Sequence, residues 1–407
     1  MIRLILTKRL YLFIGFIILL LVLLFFANLT LARTNPGGYD FFTNWYASRI
    51  YIKDGIDPYS DIAVARISEA MIDELDPGEN EIFRFASPLF SIIFLTPFSL
   101  VGDYTIARAL WMTLLEVSLV ATVWMLSSFN NVKKKIFVTS ILSVIILFCL
   151  PSISAIMSGS LTILAMVLFV LAVILIINQH DEAAGLVLCF SLVKAELFYP
   201  GVLLILAWAA FRGRWRIIWW LLGTFTLVMG FSILLIPGWM ISYLQVILKY
   251  SGINPLVLLV SNDTAMTFRL NLVKNVAVAI LLVFEWIVVR FQGRRKTAWN
   301  AGLLLLMLPW FGRDTHIEQT ILYLPALTLI IGLFLSTWKE KTYISILLFP
   351  ILIFIMGWAF SGVYIKDISI VLSRIIVYVV QPLIILVFFY WVRWWVLRSE
   401  KFNITAG

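Results

Sequence analysis

The residues of this chain best suited to chemistry lie in Gly37-Gly38-Tyr39-Asp40-Phe41-Phe42-Thr43-Asn44-Trp45-Tyr46-Ala47, followed by Asp57-Pro58-Tyr59. Asp40 is the first carboxylate after a long hydrophobic span, and the aromatics around it suit a membrane–water interface. A carboxylate held there can act as the general base of a membrane enzyme. The plainer alternative is that Asp40 caps an interfacial helix, because an Asp ahead of a helical run is a common N-cap.

Other ionisable groups stand within or beside hydrophobic spans, where charge is costly and a functional role is the default hypothesis. Asn262 and Asp263 add an acid and an amide, and Arg84, Lys194, Arg269, Arg313 and His316 supply cations. Lys194 and Glu196 interrupt an apolar run and read equally well as a mutually neutralising pair. His316 could be a hydrogen-bonded structural histidine, and His180, beside Asp181 and Glu182, reads as solvated. There is no zinc-type ligand spacing, no P-loop and no Gly-x-Ser-x-Gly elbow, so hydrolase and ATPase readings have little support. A carboxylate facing several cations fits another reaction: the base takes the proton of an attacking hydroxyl while the cations stabilise a departing phosphate.

These residues have to be positioned by membrane helices. The 407-residue chain is 62% hydrophobic and 13% charged, against roughly half apolar and a quarter charged in soluble domains, and its mean hydropathy is +1.01. Windows such as Tyr11–Thr30, Ile136–Leu150, Leu161–Ile177 with its flanks, Ile217–Ile236 and Tyr343–Phe360 approach or exceed the ~18 apolar residues of a spanning helix. They do not alternate as barrel strands do. The net charge of +9 gathers in short clusters between spans, the positive-inside pattern, and indicates orientation rather than a nucleic-acid partner. Cys149 and Cys189 lie in apolar segments and read as packing residues.

Arg3, Lys8 and Arg9 place the N-terminus in the cytoplasm and residues 31–85 outside, in a first external loop whose Asp40–Lys53 part should form an interfacial helix. Phe85–Val101 carries Pro88 and Pro97 and either spans or dips in and returns. If it dips, Lys133-Lys134-Lys135 is cytoplasmic, and Gly185–Phe211 forms two short helices meeting near Lys194–Pro200. If it spans, that later stretch must cross once. The charge rule favours the dip. Residues 237–272 form a second external segment, Arg290–Lys296, Trp338–Lys341 and Arg393–Lys401 are internal clusters, and both termini are cytoplasmic. The expected architecture is one all-α polytopic domain over residues 1–407, with about 11 to 13 transmembrane helices.

The order of motifs resembles the GT-C class of integral-membrane glycosyltransferases, and most closely glycosyltransferase family 87, the polyprenol-phosphate-mannose-type mannosyltransferases. The likeness runs through Asp40-Phe41, Tyr46-Ala47, Asp57-Pro58-Tyr59, Phe85-Ala86-Ser87-Pro88-Leu89 and Ala107-Arg108-Ala109-Leu110-Trp111. It continues with Ser158-Gly159-Ser160-Leu161, Ala184-Gly185 to Lys194 and Pro200, Asn262-Asp263-Thr264, and His316 with Leu324-Pro325-Ala326-Leu327. It departs from the family pattern where Gln is missing after Gly159, where Ala195-Glu196 follows Lys194 in place of proline, and where Asp263 replaces an amide.

The resemblance implies a GT-C-like helical bundle and inverting transfer of a sugar, mannose or another hexose or pentose, from a polyprenyl-phosphate donor to a lipid or glycan acceptor. It implies Asp40 as catalytic base, His316, Lys194, Arg269, Arg84 and Arg313 on the donor phosphate, and Tyr46, Asp57, Glu196, Asn262 and Asp263 along the substrates. Neither metal nor cofactor is expected, and the site would face the outside of the cytoplasmic membrane. The alternative from another class is a transporter or lipid flippase, which would show internal repeats and charges at the midplane; neither is evident.

Overall fold

A computed structural model describes residues 2–75, 83–128, 136–250, 264–289, 294–311, 317–337 and 379–397. The described residues are predominantly helical, with no strand among them. Among the described residues five helical stretches, Asp181–Phe211 among them, are long and apolar enough by length and composition to cross a membrane, six if one bent pair counts as a single span. The protein is thus an all-α polytopic membrane protein. Its chain divides into two compact units, one of residues 1–117 with 156–160 and one of 118–155 with 161–407.

The first unit opens with α1 (Ile2–Thr34), whose Ile14–Thr34 portion is a spanning segment. It meets α5 (Tyr104–Ser127), where Asn28 Nδ2 donates to Thr113 Oγ1 at 3.1 Å and to Glu116 Oε2 at 2.7 Å. Between them lie α2 (Tyr39–Asp54), α3 (Asp61–Leu75) and α4 (Ile92–Ser99), the last preceded by a 3-10 turn at Leu89–Ser91. The aromatic face expected to rest on the membrane surface is instead covered by protein. Phe41, Phe42 and Trp45 are buried, with Phe41 stacked on Trp111 at 5.4 Å and Trp45 Nε1 donating to the Phe98 carbonyl at 2.9 Å. Helical spacing shows that a face is apolar without showing what covers it.

The α4 helix and its 3-10 turn together cover Leu89–Ser99. At about 1.5 to 2 Å per residue that falls well short of the ~30 Å hydrocarbon core, so this stretch does not span by itself. Trp45 and Arg49 tie it to α2: the Arg49 guanidinium donates to the Ser99 and Val101 carbonyls at 3.1 and 3.0 Å.

The second unit continues with α6 (Ile136–Leu147) and α7 (Leu150–Ser158), bent by 60° at their junction. Pro151 explains the bend, since it lacks an N–H and its ring clashes with the carbonyl of Leu147, four residues back. Next come α8 (Thr162–Ile177), α9 (Asp181–Phe190), a 3-10 turn at Ser191–Lys194, and α10 (Ala195–Phe211).

By length and composition alone Asp181–Phe211 could be a single span; a straight helix of that length would separate its ends by roughly 45 Å. The hydrogen bonds decide otherwise. Arg214 Nε donates to Asp181 at 3.1 Å and its Nη2 to the Ile176 carbonyl at 2.9 Å. Both ends therefore lie together, and α9 and α10 form a returning hairpin with Lys194 and Glu196 at its turn. This is the arrangement that accompanies a dipping Phe85–Val101. Further on are α11 (Trp215–Leu235), α12 (Trp239–Tyr250), α13 (Thr264–Val289), α14 (Arg294–Phe311), α15 (Tyr323–Thr337) and α16 (Gln381–Leu397).

Candidate active site

In the first unit one face of α5 fixes the start of α2. Tyr104, Arg108 and Trp111 follow one another at helical spacing and all reach backbone carbonyls. Tyr104 Oη donates to the Gly37 and Gly38 carbonyls at 2.7 and 3.1 Å. Arg108 Nη1 donates to Asn35 O at 2.7 Å and Nη2 to Met157 O at 3.0 Å, while Trp111 Nε1 donates to Gly159 O at 2.9 Å. Arg108 as a whole is 2% exposed. Gly38 is the N-cap of α2 with φ +82, and a Cβ there would lie 2.7 Å from both Arg108 Nε and Tyr104 Oη. Gly159, at φ +74, would put a Cβ 2.4 Å from that of Phe41. Neither position has room for a side chain: Gly38 lets α5 approach the start of α2, and Gly159 lets its own turn approach Phe41.

Asp40 follows one residue into the helix. It is not the N-cap: Gly38 is, with no side-chain hydrogen bond to the helix start. Asp40 therefore occupies the first turn, where the helix dipole favours a negative charge. Its side chain is exposed, and among the described residues no hydrogen bond or ion pair takes up its carboxylate. The neighbouring acids differ. Asp54 pairs with Arg66 at 2.7 Å, Asp61 with Arg84 at 3.4 Å, Asp57 Oδ1 accepts the Tyr59 N–H at 2.9 Å, and Asp103 Oδ1 that of Ile106 at 3.0 Å. Burial, and after it the Asp57 carboxylate, push the Tyr51 phenol above its ordinary pKa.

Tyr46, half-buried, stacks on Phe42 at 5.7 Å. Asn44 steadies the same helix: its Nδ2 donates to Asp40 O at 2.7 Å, and its Oδ1 accepts from Ser87 Oγ at 2.9 Å. Tyr59 Oη donates to Ser87 O at 2.6 Å, joining the Asp57-Pro58-Tyr59 turn to the Phe85–Leu89 motif. In the first unit, then, Asp57 is engaged by the Tyr59 N–H and Arg84 by Asp61, while Tyr46 shares α2 with Asp40.

In the second unit Lys194 and Glu196 form an ion pair at 3.1 Å, both partly exposed. Glu196 Oε1 meets the lysine and Oε2 is buried without a hydrogen bond. The α12 helix contributes to this region: Trp239 and Tyr243 are buried with ring centroids 6.1 Å apart. Burial, followed by the nearby Glu196 charge, raises the Tyr243 pKa. Arg269 is exposed on α13. Asn262, Asp263, Arg313 and His316 lie outside the described residues.

Sequence reasoning gave Arg108 no role, although it stood in a quoted motif. Its signal was its place near the start of a spanning helix with no acid at i±3 or i±4. It also passed over Lys274, flanked by Asn271 and Asn275 inside the Arg269–Val288 span.

Set beside known families, residues 85–310, more than half of the chain, match the model of glycosyltransferase family 87. Asp40 lies before the matched stretch, and Arg313 and His316 beyond it. No curated protein and no solved structure matches the chain.

Proposed function

Because the chain belongs to glycosyltransferase family 87, and is therefore a membrane glycosyltransferase rather than a transporter, we propose that it moves a sugar from a polyprenyl-phosphate donor to a lipid or glycan acceptor with inversion. Asp40 is the base in this reading. It removes the proton of the acceptor hydroxyl as that oxygen attacks the anomeric carbon, the bond from that carbon to the phosphate oxygen breaks, and the polyprenyl phosphate departs. Lys194, Arg269, His316, Arg313 and Arg84 are proposed to stabilise the charge gathering on the phosphate, and Tyr46, Asp57, Glu196, Asn262 and Asp263 to border the two substrates. No metal or cofactor takes part. The transferred group is mannose or another hexose or pentose, and the reaction takes place on the outer face of the cytoplasmic membrane with both termini inside.

The observation that carries this reading is the contrast among carboxylates in the first unit. Asp54, Asp57, Asp61 and Asp103 each have a partner, whereas Asp40, like Glu69 on α3, is exposed without one, and of these two only Asp40 stands at a rigidly held helix start. A base must be free to take a proton and fixed enough to meet it. The test is transfer by purified protein across a panel of synthetic polyprenyl-phosphate sugars. Activity with one sugar but none with the matching nucleotide sugar supports the donor class; activity with the nucleotide sugar alone refutes it.

A further inference from the structure

The α13 helix carries a polar stripe within its spanning portion, Arg269–Val288. Leu272, Val273 and Val276 are 54%, 65% and 49% exposed, as lipid-facing residues of a span should be. Asn271, Lys274 and Asn275 are only partly exposed, and Val278 and Leu282, further along the same side, are buried. Positions 271, 274, 275, 278 and 282 follow the helical i, i+3, i+4, i+7, i+11 pattern, so one face turns a cation and two amides toward the protein.

The side-chain carbonyl oxygens of Asn271 and Asn275 are both buried without a hydrogen-bond partner. At membrane depth no bulk water is available to satisfy them, so each marks a place for a donor. Below them the same side of the helix supplies Leu282 and Trp286 to an apolar crevice completed by Leu204, Ile205, Leu303 and Asn300. From Asn271 to Leu282 is roughly 16 Å along the axis. The face thus offers, in order, a positive charge flanked by acceptors and then a small, mostly apolar crevice between helices.

We propose that the Asn271–Lys274–Asn275 face of α13 binds the phosphate head of a lipid. Lys274 meets the phosphate, the two amide oxygens accept hydroxyls of the group it carries, and the hydrocarbon chain descends toward the crevice. The assignment of that lipid as an isoprenyl phosphate rests on the donor class proposed above. A phospholipid shares the same chemistry, and the experiment separates the two.

Binding of a fluorescent short-chain isoprenyl phosphate, bare and with a sugar on its phosphate, is measured on full-length protein in phosphatidylcholine nanodiscs, with fluorescent phosphatidylglycerol as the second arm. The set comprises wild type, Lys274→Met, Lys274→Arg, the double variant Asn271→Leu with Asn275→Leu, and Val276→Leu on the lipid-facing side. Lys274→Met is expected to weaken isoprenyl phosphate about tenfold or more, as loss of a charged hydrogen-bond partner does. Lys274→Arg restores most of it, and Val276→Leu stays within about twofold of wild type. The amide double variant keeps its affinity for the bare phosphate but loses the extra affinity shown by a sugar-bearing form.

Isoprenyl phosphate bound equally by wild type and Lys274→Met overturns the site while leaving the donor class intact. Phosphatidylglycerol bound in a Lys274-dependent manner, with no isoprenyl phosphate bound, supports a lipid-phosphate site and removes the donor class. If wild type binds neither lipid, both fall.

Discussion

The two units treat their most buried charged residues, Arg108 and Glu285, differently. In the first, the Arg108 guanidinium reaches Asn35 O and Met157 O and has no carboxylate among its hydrogen-bond partners. In the second, cations meet acids: Arg214 with Asp181, Lys194 with Glu196, and Arg393 Nε with Glu285 Oε2 at 3.0 Å, where the glutamate is 2% exposed. A carbonyl fixes a piece of backbone, whereas a carboxylate neutralises charge in a medium where charge is costly. The first unit therefore uses Arg108, its most buried arginine, to hold the segment that bears Asp40. The second spends its charges on allowing helices that carry them to pack.

That difference can be broken one side at a time. Arg108→Met should have the largest effect, stranding two carbonyls at about 1–3 kcal/mol each, so up to about 6 kcal/mol. The expected result is a sharply lower melting temperature in detergent, with transfer lost. No second substitution of an acid should restore either, because no acid shares the bond. Arg393→Met should cost about 3–5 kcal/mol by leaving Glu285 buried and uncompensated. Here Glu285→Gln in the same chain should recover most of the loss, read as coupling in a double-mutant thermal cycle. Recovery of Arg108→Met by an acid removal, or no recovery for the Arg393 pair, would dissolve the contrast.

Gly159→Ala should destabilise by about 1–3 kcal/mol, from the clash with Phe41 and the left-handed backbone. Its transfer rate should fall by more than its thermal shift explains, since the displaced ring sits one residue from Asp40. Tyr59→Phe is the mildest: it removes the hydrogen bond to Ser87 O and should cost about 1 kcal/mol in the same melting assay.

Much of the fold was legible in the chain. Apolar runs gave the spans, Pro88 and Pro97 marked the stretch that fails to cross, and the interruption at Lys194 and Glu196 marked the turn of the α9–α10 hairpin. The position of Asp40 directly after the first span was equally plain. Other features depend on contacts that no local pattern encodes. Arg108 bonds to carbonyls 73 and 49 positions away in sequence, and a backbone acceptor leaves no residue type to find. The covering of α2 by Phe98, Tyr104 and Trp111 was hidden because an aromatic helix face looks the same whether lipid or protein lies against it. Lys274 went unremarked between two asparagines, since only burial distinguishes it from exposed Arg269. The α12 aromatics Trp239 and Tyr243 fall in the second external segment, and nothing in that segment's sequence shows that they are buried near Glu196.

The central claim concerns one carboxylate, and Asp40→Asn addresses it with the smallest possible change of shape. The purified variant, monodisperse and melting as wild type does, should show no sugar transfer from a polyprenyl-phosphate donor under conditions where wild type turns over. Transfer at the wild-type rate by that variant would contradict the account.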